Sequence, residues 1–519
     1  MTTKAIIAAG HEQTAQAAAT VIADGGNAFD GAVAALAAAC VAEPVLASLG
    51  GGGFLHARPA GGEPLVYDFF VQTPRTKADP DGLDFYPILA DFGDTTQEFH
   101  IGMGAIATPG TIAGLFALQR DLCRLPPATL LEPARQMAER GVPVNAFQHR
   151  IATIVEPILR AHPEVFALYA SRHNPNQLAE VGEHLAQPEL ASALSRLASE
   201  GPSLFYGGAG SGPRAGGQWG ERLAADCAAM GGHLRGGDLA GYRVERRQPL
   251  TGQYRDAMLY LNPPPSLGGM LIHLTLDLLS RQQLEGIRFG GAAHRHLIAT
   301  AMRLTQDLRA ETPTDASGPA PALLARYRGL MRDIKVFRRG TTQVSIADAD
   351  GNLASMTLSN GEGAGYLLPD TGIMLNNMLG EEDLNPRGFH RWTGDQRIGS
   401  MMCPTLVAHA DGGWSVLGSS GSNRIRGTIV QVLNNLIDLR MPLEEAVAAA
   451  RIHYEYGTLN LEPPCDAALI EALREDWPDI LAWSAPSLFF GGAHCVAIAA
   501  DGSLSGAGDD RRGGVVRRV

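Results

Sequence analysis

Residues 339–345, RGTTQVS, set two adjacent hydroxyls behind a glycine at the start of an alternating strand. Gly340 packs nothing and weakens a strand, so its place there asks for a chemical reason. A threonine hydroxyl is a poor nucleophile at neutral pH and needs a base beside it. Cutting the Gly340–Thr341 bond would supply one, because a free α-amine has an ordinary pKa of about 7.7–8.0. The chain can make the cut itself: the Thr341 hydroxyl attacks the Gly340 carbonyl, and water hydrolyses the resulting ester. Gly340, lacking Cβ, tolerates the distorted backbone such an attack demands. On these seven residues alone, two β-formers opening a plain strand explain the pattern more simply.

The strand belongs to a hairpin over 342–359. Thr341, Gln343 and Ser345 alternate with Val344 and Ile346, and Ser355, Thr357 and Ser359 alternate with Ala354, Met356 and Leu358. Like faces must match across an antiparallel pair, which predicts 343 opposite 357 and 345 opposite 355. That register leaves a three-residue loop, Ala349-Asp350-Gly351, with glycine at the left-handed position. It also sets Ser359 opposite Thr341.

Further Asp-Gly turns mark hairpins over 405–419 and 493–508, and a Pro59–Gly62 turn marks one over 49–70. Residues 11–27 read as a helix ending at Gly25-Gly26, and 29–44 as a buried helix, being apolar nearly all round. Helical patterns also cover 110–122, 128–141, 265–285, 291–310 and 424–439. The segments 206–218 and 311–322, rich in Gly, Pro, Ser and Ala, read as loops. Hairpins separated by apolar helices predict stacked helix and sheet layers.

The 519 residues are 45% apolar and 18% charged, with a net charge of −12. This is a globular composition with no nucleic-acid footprint. The apolar run at 31–42 is too short to span a bilayer, and the N-terminus lacks the pattern of a secretory signal. Cysteines 40, 123, 227, 403, 465 and 495 are scattered without a CxxC pair, as expected of reduced thiols in a cytoplasmic protein. LGGGGF (49–54) has no GK[ST] and leads into a strand, so it reads as close backbone packing instead of a phosphate cradle. His294 and His296 face different sides of their helix; neither metal nor other cofactor is expected.

Several stretches together resemble the gamma-glutamyltranspeptidase family of the N-terminal nucleophile hydrolases, from about residue 10 to the C-terminus. They are GGNAFDGAVA, EPVLASLGGGGF, ATPGTIAGL, LLEPARQMAERGVPV and PPPSLGGM, then TTQVSIADADGNLASMT, GIMLNN, SMMCPT, GSSGSNRI and ADGSLSGAGDDRR. The resemblance implies Thr341 as nucleophile and a cut after Gly340. It implies one autoprocessed domain, 1–519, whose large (1–340) and small (341–519) fragments stay associated in a four-layer α/β/β/α sandwich. It assigns Gly421 and Ser422 of GSSGSNR to the oxyanion site, with Ser422 where the family has a second glycine. Ser359 stands where the family has a threonine beside the nucleophile, and Asn360 matches a substrate-site asparagine across a one-residue gap. The implied reaction is amide hydrolysis, or acyl transfer to an amino-acid acceptor, in glutathione metabolism. A homo-oligomer is compatible with this; nucleic acid and membrane are not expected partners.

The resemblance breaks at the substrate's head group. Phe70 aligns with a family arginine, Met401 with the second serine of a pair that begins at Ser400, Met378 with a glutamate, and Glu381 with an aspartate. A carboxylate clamp without its cation binds poorly, unless Arg75 or Arg397 reaches in. Branches of the family that act on other amides include cephalosporin acylase-like enzymes and an amidohydrolase acting on oxamate. The expectation is a self-cleaving threonine amidohydrolase or acyltransferase with a rebuilt specificity pocket. A processed but catalytically idle binding protein is the competing reading, and retention of Thr341, Ser359 and the glycine-rich loop argues against it.

Overall fold

In the computed structural model, which describes residues 3–91, 96–207, 217–282, 287–311, 340–385 and 388–519, two sheets stack face to face between layers of helix. The first sheet runs Val515–Arg518, Ala5–Ala9, Thr342–Asp348, Leu353–Ser359, Gly52–Arg58, Leu65–Asp68, Glu245–Arg247. The second runs Leu504–Ala507, Gly492–Ile498, Trp414–Ser420, Thr405–Ala408, Ala257–Leu261, Leu250–Tyr254. Thr342–Asp348 pairs with Ala5–Ala9, and Leu353–Ser359 with Gly52–Arg58. Chain from both sides of Gly340 therefore shares one sheet, in the four-layer sandwich expected.

Helix Ala28–Ala42 opens with a capping box: Asn27 accepts from the N–H groups of Phe29 and Asp30, and Asp30 accepts from that of Asn27. All its residues are buried, as an all-round apolar pattern requires. With Glu12–Ala23 it covers the outer face of the first sheet, against Val344, Ile346, Met356 and Leu358. Helices Gly268–Ser280 and Arg424–Ile437 cover the second sheet.

The layer between the sheets changes character along the hairpin. At the turn end Ala347 and Leu353 meet Leu406, Val416 and Val496. Toward Thr341 their place is taken by Gln343, Ser345, Ser355 and Thr357, all fully buried. Burying such groups costs free energy unless each is hydrogen-bonded, and here each is. Thr357 donates to Gln343 Oε1 at 2.6 Å, while Gln343 Nε2 donates to Ser345 Oγ and Ser355 Oγ, both at 3.0 Å. Ser345 and Ser355 then donate across to the carbonyls of His494 and Leu417, each at 2.8 Å. The polar face of the hairpin thus bolts one sheet to the other.

Gln343 pairs with Thr357 and Ser345 with Ser355, and Gly351 takes φ +94° in the three-residue loop, as the pattern predicts. The other three hairpins stand where expected, and helices occupy Thr111–Leu122, Pro127–Arg140, Gly268–Ser280, Ala292–Glu311 and Arg424–Ile437. The sequence reading has no hairpin at Leu250–Tyr254 and Ala257–Leu261, because its two-residue turn holds no glycine. Arg255 takes the left-handed conformation there (φ +55°), anchored by its guanidinium to Asp438 at 2.7 Å and to the carbonyls of Ser280 and Gln282. The loops expected over 206–218 and 311–322 lie largely outside the described residues. All six cysteines are free, and among the described residues no helix is long and apolar enough to cross a membrane.

Candidate active site

Thr341 lies immediately before the Thr342–Asp348 strand and is 3% exposed. Thr342 pairs with Leu358, so the register carries Ser359 opposite Thr341. The Ser359 hydroxyl donates to the carbonyl oxygen of Gly340 at 2.8 Å and accepts from the N–H of Gly361 at 3.1 Å. The carbonyl next to the Thr341 nitrogen is therefore polarised by a buried donor. On the other side of residue 340, its N–H donates to Glu362 Oε1 at 3.0 Å. A Cβ at this position would lie 2.8 Å from the Gly361 carbonyl oxygen and 3.1 Å from that of Val45. Glycine is required there for space.

Thr342 turns toward the helices. Its hydroxyl donates to Glu43 Oε2, and that of Thr14 to Oε1, both at 2.7 Å. Burial pushes the Glu43 carboxyl up to about 7 against the lowering effect of these two hydroxyls.

The glycine-rich loop approaches from the second sheet. A Cβ on Gly418 would collide with the Gln343 side chain, two residues from Thr341, and the chain continues from there to Gly421. Gly421 and Ser422 have φ of +113° and +57° before the Arg424–Ile437 helix begins. Among the described residues no backbone acceptor takes the N–H of Gly421 or Ser422, which leaves the kind of donors an oxyanion site needs. The buried Arg512 guanidinium lies beside Gly421, with Nη2 donating to the Leu488 carbonyl at 3.1 Å. Burial lowers its pKa to about 10, and its positive charge backs the loop.

Close packing accounts for the glycine run: a Cβ on Gly51 would lie 2.5 Å from the Ser359 carbonyl oxygen, and one on Gly53 2.6 Å from that of Thr357. Asn376 staples this wall by donating to the carbonyls of Gly50 at 2.9 Å and Ala107 at 3.0 Å. Asn377 Oδ1 accepts from the N–H of Glu362 at 3.0 Å. Together with Glu381 Oε1 it closes over Gly361 (φ +64°), leaving no space for a side chain. Asn360 is 1% exposed, and among the described residues neither atom of its amide group has a hydrogen-bond partner.

The structure therefore gathers Gly340, Thr341, Ser359, Asn360 and Glu381 around one corner. Phe70 and Met378 share an apolar cluster with Phe54, Ile398 and Met402, and Phe70 stacks on Phe54 at 5.3 Å. Met401 belongs instead to a separate cluster with Leu267, Met270 and Leu271. The Ser400 hydroxyl accepts from the N–H of Met402 at 3.1 Å, and its carbonyl accepts from that of Leu267 at 2.8 Å at the head of the Gly268–Ser280 helix. This pair braces the backbone.

Neither spare arginine rebuilds the clamp. Arg397 is held by Asp68 at 3.3 Å, by the Tyr242 hydroxyl and by the carbonyls of Phe70 and Arg243. Arg75 pairs with Asp395 at the surface. Of the two histidines, His294 faces Asn434 and His296 faces Asp476. Among the described residues no group of three or more His, Cys, Asp or Glu is arranged to hold a metal ion.

The profile of the gamma-glutamyltranspeptidase family matches residues 14–519. The chain belongs to this family. It is 31% identical to the acylase ACY 1 proenzyme of Pseudomonas sp. (strain SE83), over 97% of this chain and 91% of that one. It is 29% identical to the glutathione hydrolase proenzyme of Escherichia coli (strain K12), over 96% and 88% of the two chains. Among solved structures, cephalosporin acylase from Bacillus halodurans shares the fold, with a TM-score of 0.81 at 21% identity over 99% of this chain and 96% of that one.

Sequence reasoning does not reach Glu362 or Glu43. A signal exists for each: Glu362 is a lone charge inside the small-residue run SNGEGAG, where burial demands a partner. Glu43 follows the last turn of a helix, where the dipole disfavours an anion.

Proposed function

We propose that this protein is a self-cleaving threonine hydrolase or acyltransferase whose nucleophile is Thr341. The observation that carries the reading is the Ser359 hydroxyl donating to the Gly340 carbonyl at 2.8 Å, beside the buried Thr341. Attack by Thr341 Oγ on the Gly340 carbonyl carbon forms an ester and breaks the C–N bond. The hydroxyl proton passes to the departing nitrogen, which becomes the α-amine. Ser359 supplies a hydrogen bond to the oxygen as it gains negative charge. Water then hydrolyses the ester and restores the hydroxyl.

Turnover repeats this chemistry on an external amide. The α-amine takes the Thr341 proton and delivers it to the leaving amine, and the acyl group stays on Oγ. The Gly421 and Ser422 N–H groups are the candidate donors to that oxyanion. Water completes hydrolysis; an amino-acid amine completes transfer. Six free cysteines support a reducing compartment such as the cytoplasm.

Within this chemistry an acylase on a non-glutamyl amide is favoured over a glutamyl enzyme. Phe70 and Met378 are buried in an apolar cluster where the resemblance expects a cation and an anion, and Arg397 is committed to Asp68. The test is N-terminal sequencing of the smaller fragment, which should begin Thr-Thr-Gln-Val. A different first residue, or a chain that stays whole on long incubation, refutes the reading. A hydroxyl-reactive acylating probe then separates an enzyme, which is labelled on Thr341, from an idle binding protein.

A further inference from the structure

In the uncleaved chain Gly340 is itself the first acyl group presented to Thr341. The ester that forms on Thr341 Oγ during self-cleavage has the same connectivity as the acyl-enzyme formed from an external amide. The surroundings of the Gly340 α-carbon therefore outline what an acyl group on the same Oγ meets beside its own α-carbon, although its oxyanion turns to the Gly421 and Ser422 N–H groups instead of Ser359. Three contacts are visible. Ser359 holds the carbonyl oxygen at 2.8 Å. Glu362 Oε1 accepts, at 3.0 Å, from the N–H borne by the carbon next to that carbonyl. Backbone oxygens of Gly361 and Val45 block the direction in which an L side chain would leave that carbon.

We infer that Glu362 is a specificity-determining residue, and that the preferred substrates are amides of acyl groups with an unbranched α-carbon bearing a hydrogen-bond donor, such as an amino, amido N–H or hydroxyl group. The inference rests on the proposed acyl chemistry of Thr341. Glu362 is held in place to receive such a donor, being 3% exposed with its own N–H fixed by Asn377 Oδ1 at 3.0 Å. Glu381 Oε1 lies next to Gly361, in the same corner. The Glu362 contact lies one carbon from the reacting carbonyl, whereas the α-amino acid head of a gamma-glutamyl group lies at the far end of its chain.

The experiment compares glycyl, acetyl and L-alanyl p-nitroanilides on the matured wild-type enzyme, and repeats the set with Glu362→Gln. A hydrogen bond to a charged partner changes kcat/KM by about tenfold or more. Glycyl should exceed acetyl by at least about that factor, and exceed L-alanyl by a similar one because of the blocked side. Glu362→Gln should collapse the glycyl-over-acetyl ratio toward one. Acetyl turned over as well as glycyl by wild type, or an unchanged ratio in the variant, overturns the assignment. The wild-type comparison decides alone if Glu362→Gln does not mature. Failure of the underlying chemistry is distinguishable, because then none of the three anilides reacts and no fragment begins at Thr341.

Discussion

In the proposed mechanism the working groups at the mouth of the hairpin are hydroxyls, placed by strand register, and the backbone N–H groups of the glycine-rich loop. Immediately beyond Ser359 they are the side chains of Asn360, Glu362, Asn377 and Glu381, placed by contacts between segments far apart in the chain. On that mechanism the first region is insensitive to side-chain detail: Ser359 would replace a threonine because only its Oγ is used, and Ser422 would replace a glycine because only its N–H is at issue. The second region is the reverse, since a one-atom change in a buried acid or amide alters what fits. Chemistry and specificity are thus separable here, and mutations in the two regions should fail differently.

The largest effect falls at the nucleophile. Thr341→Ala should remain one chain of 54.9 kDa with no detectable turnover. Wild type should resolve on a denaturing gel into pieces of about 36 and about 19 kDa, the shares of residues 1–340 and 341–519 in that mass. Thr341→Ser keeps the hydroxyl and should still cleave. An alanine variant that still splits would move the nucleophile, with Thr342 next in line.

Ser359→Ala comes second. It removes the donor to the Gly340 carbonyl, and loss of one such donor costs about 10²–10³-fold in rate. The appearance of the small fragment over time is the readout, and Ser359→Thr should behave nearly as wild type. Cleavage of the alanine variant at the wild-type rate would remove Ser359 from the reaction.

The third prediction crosses to the specificity side. A gamma-glutamyl anilide should fall below a short-acyl anilide in kcat/KM by about one to two orders of magnitude, the cost of losing a charged hydrogen bond. The cause is the apolar character of Phe70 and Met378 together with an Arg397 already held by Asp68. A glutamyl substrate that wins by a wide margin would show that other residues rebuild the clamp.

The smallest effect concerns Glu43, behind Thr342. Its folded-state pKa of about 7 lies above the ordinary 4.5. The stability it contributes is therefore present below about pH 4.5 and is lost as pH rises through about 7. On the uncleaved Thr341→Ala chain, adding Glu43→Gln should shift relative stability in the variant's favour by about 1–3 kcal/mol between pH 5 and pH 8. Denaturant melts across that range measure it, and a pH-independent difference would mean Glu43 does not titrate there.

Much of the catalytic region was determined by sequence alone. Period-two alternation and a glycine-bearing three-residue loop leave only one register for residues 342–359, and register alone brings Ser359 to Thr341. The Gly340–Thr341 pair and the GSSGSNR loop are local in the same sense. Alternation left open which face of the hairpin met which layer. Gln343, Ser345, Ser355 and Thr357 resemble a solvent-facing row, yet only the second sheet supplies the carbonyls of His494 and Leu417 that make their burial tolerable. The substrate corner depended on tertiary structure throughout. Phe70 and Met378 join one apolar cluster, and Asn377 and Glu381 meet Gly361, only after the sandwich closes. The fate of Arg397 was decided by Asp68, more than three hundred residues earlier in the chain. Short-range periodicity records pairings between neighbours along the chain; it carries no record of which distant side chain will occupy a charge or fill a pocket.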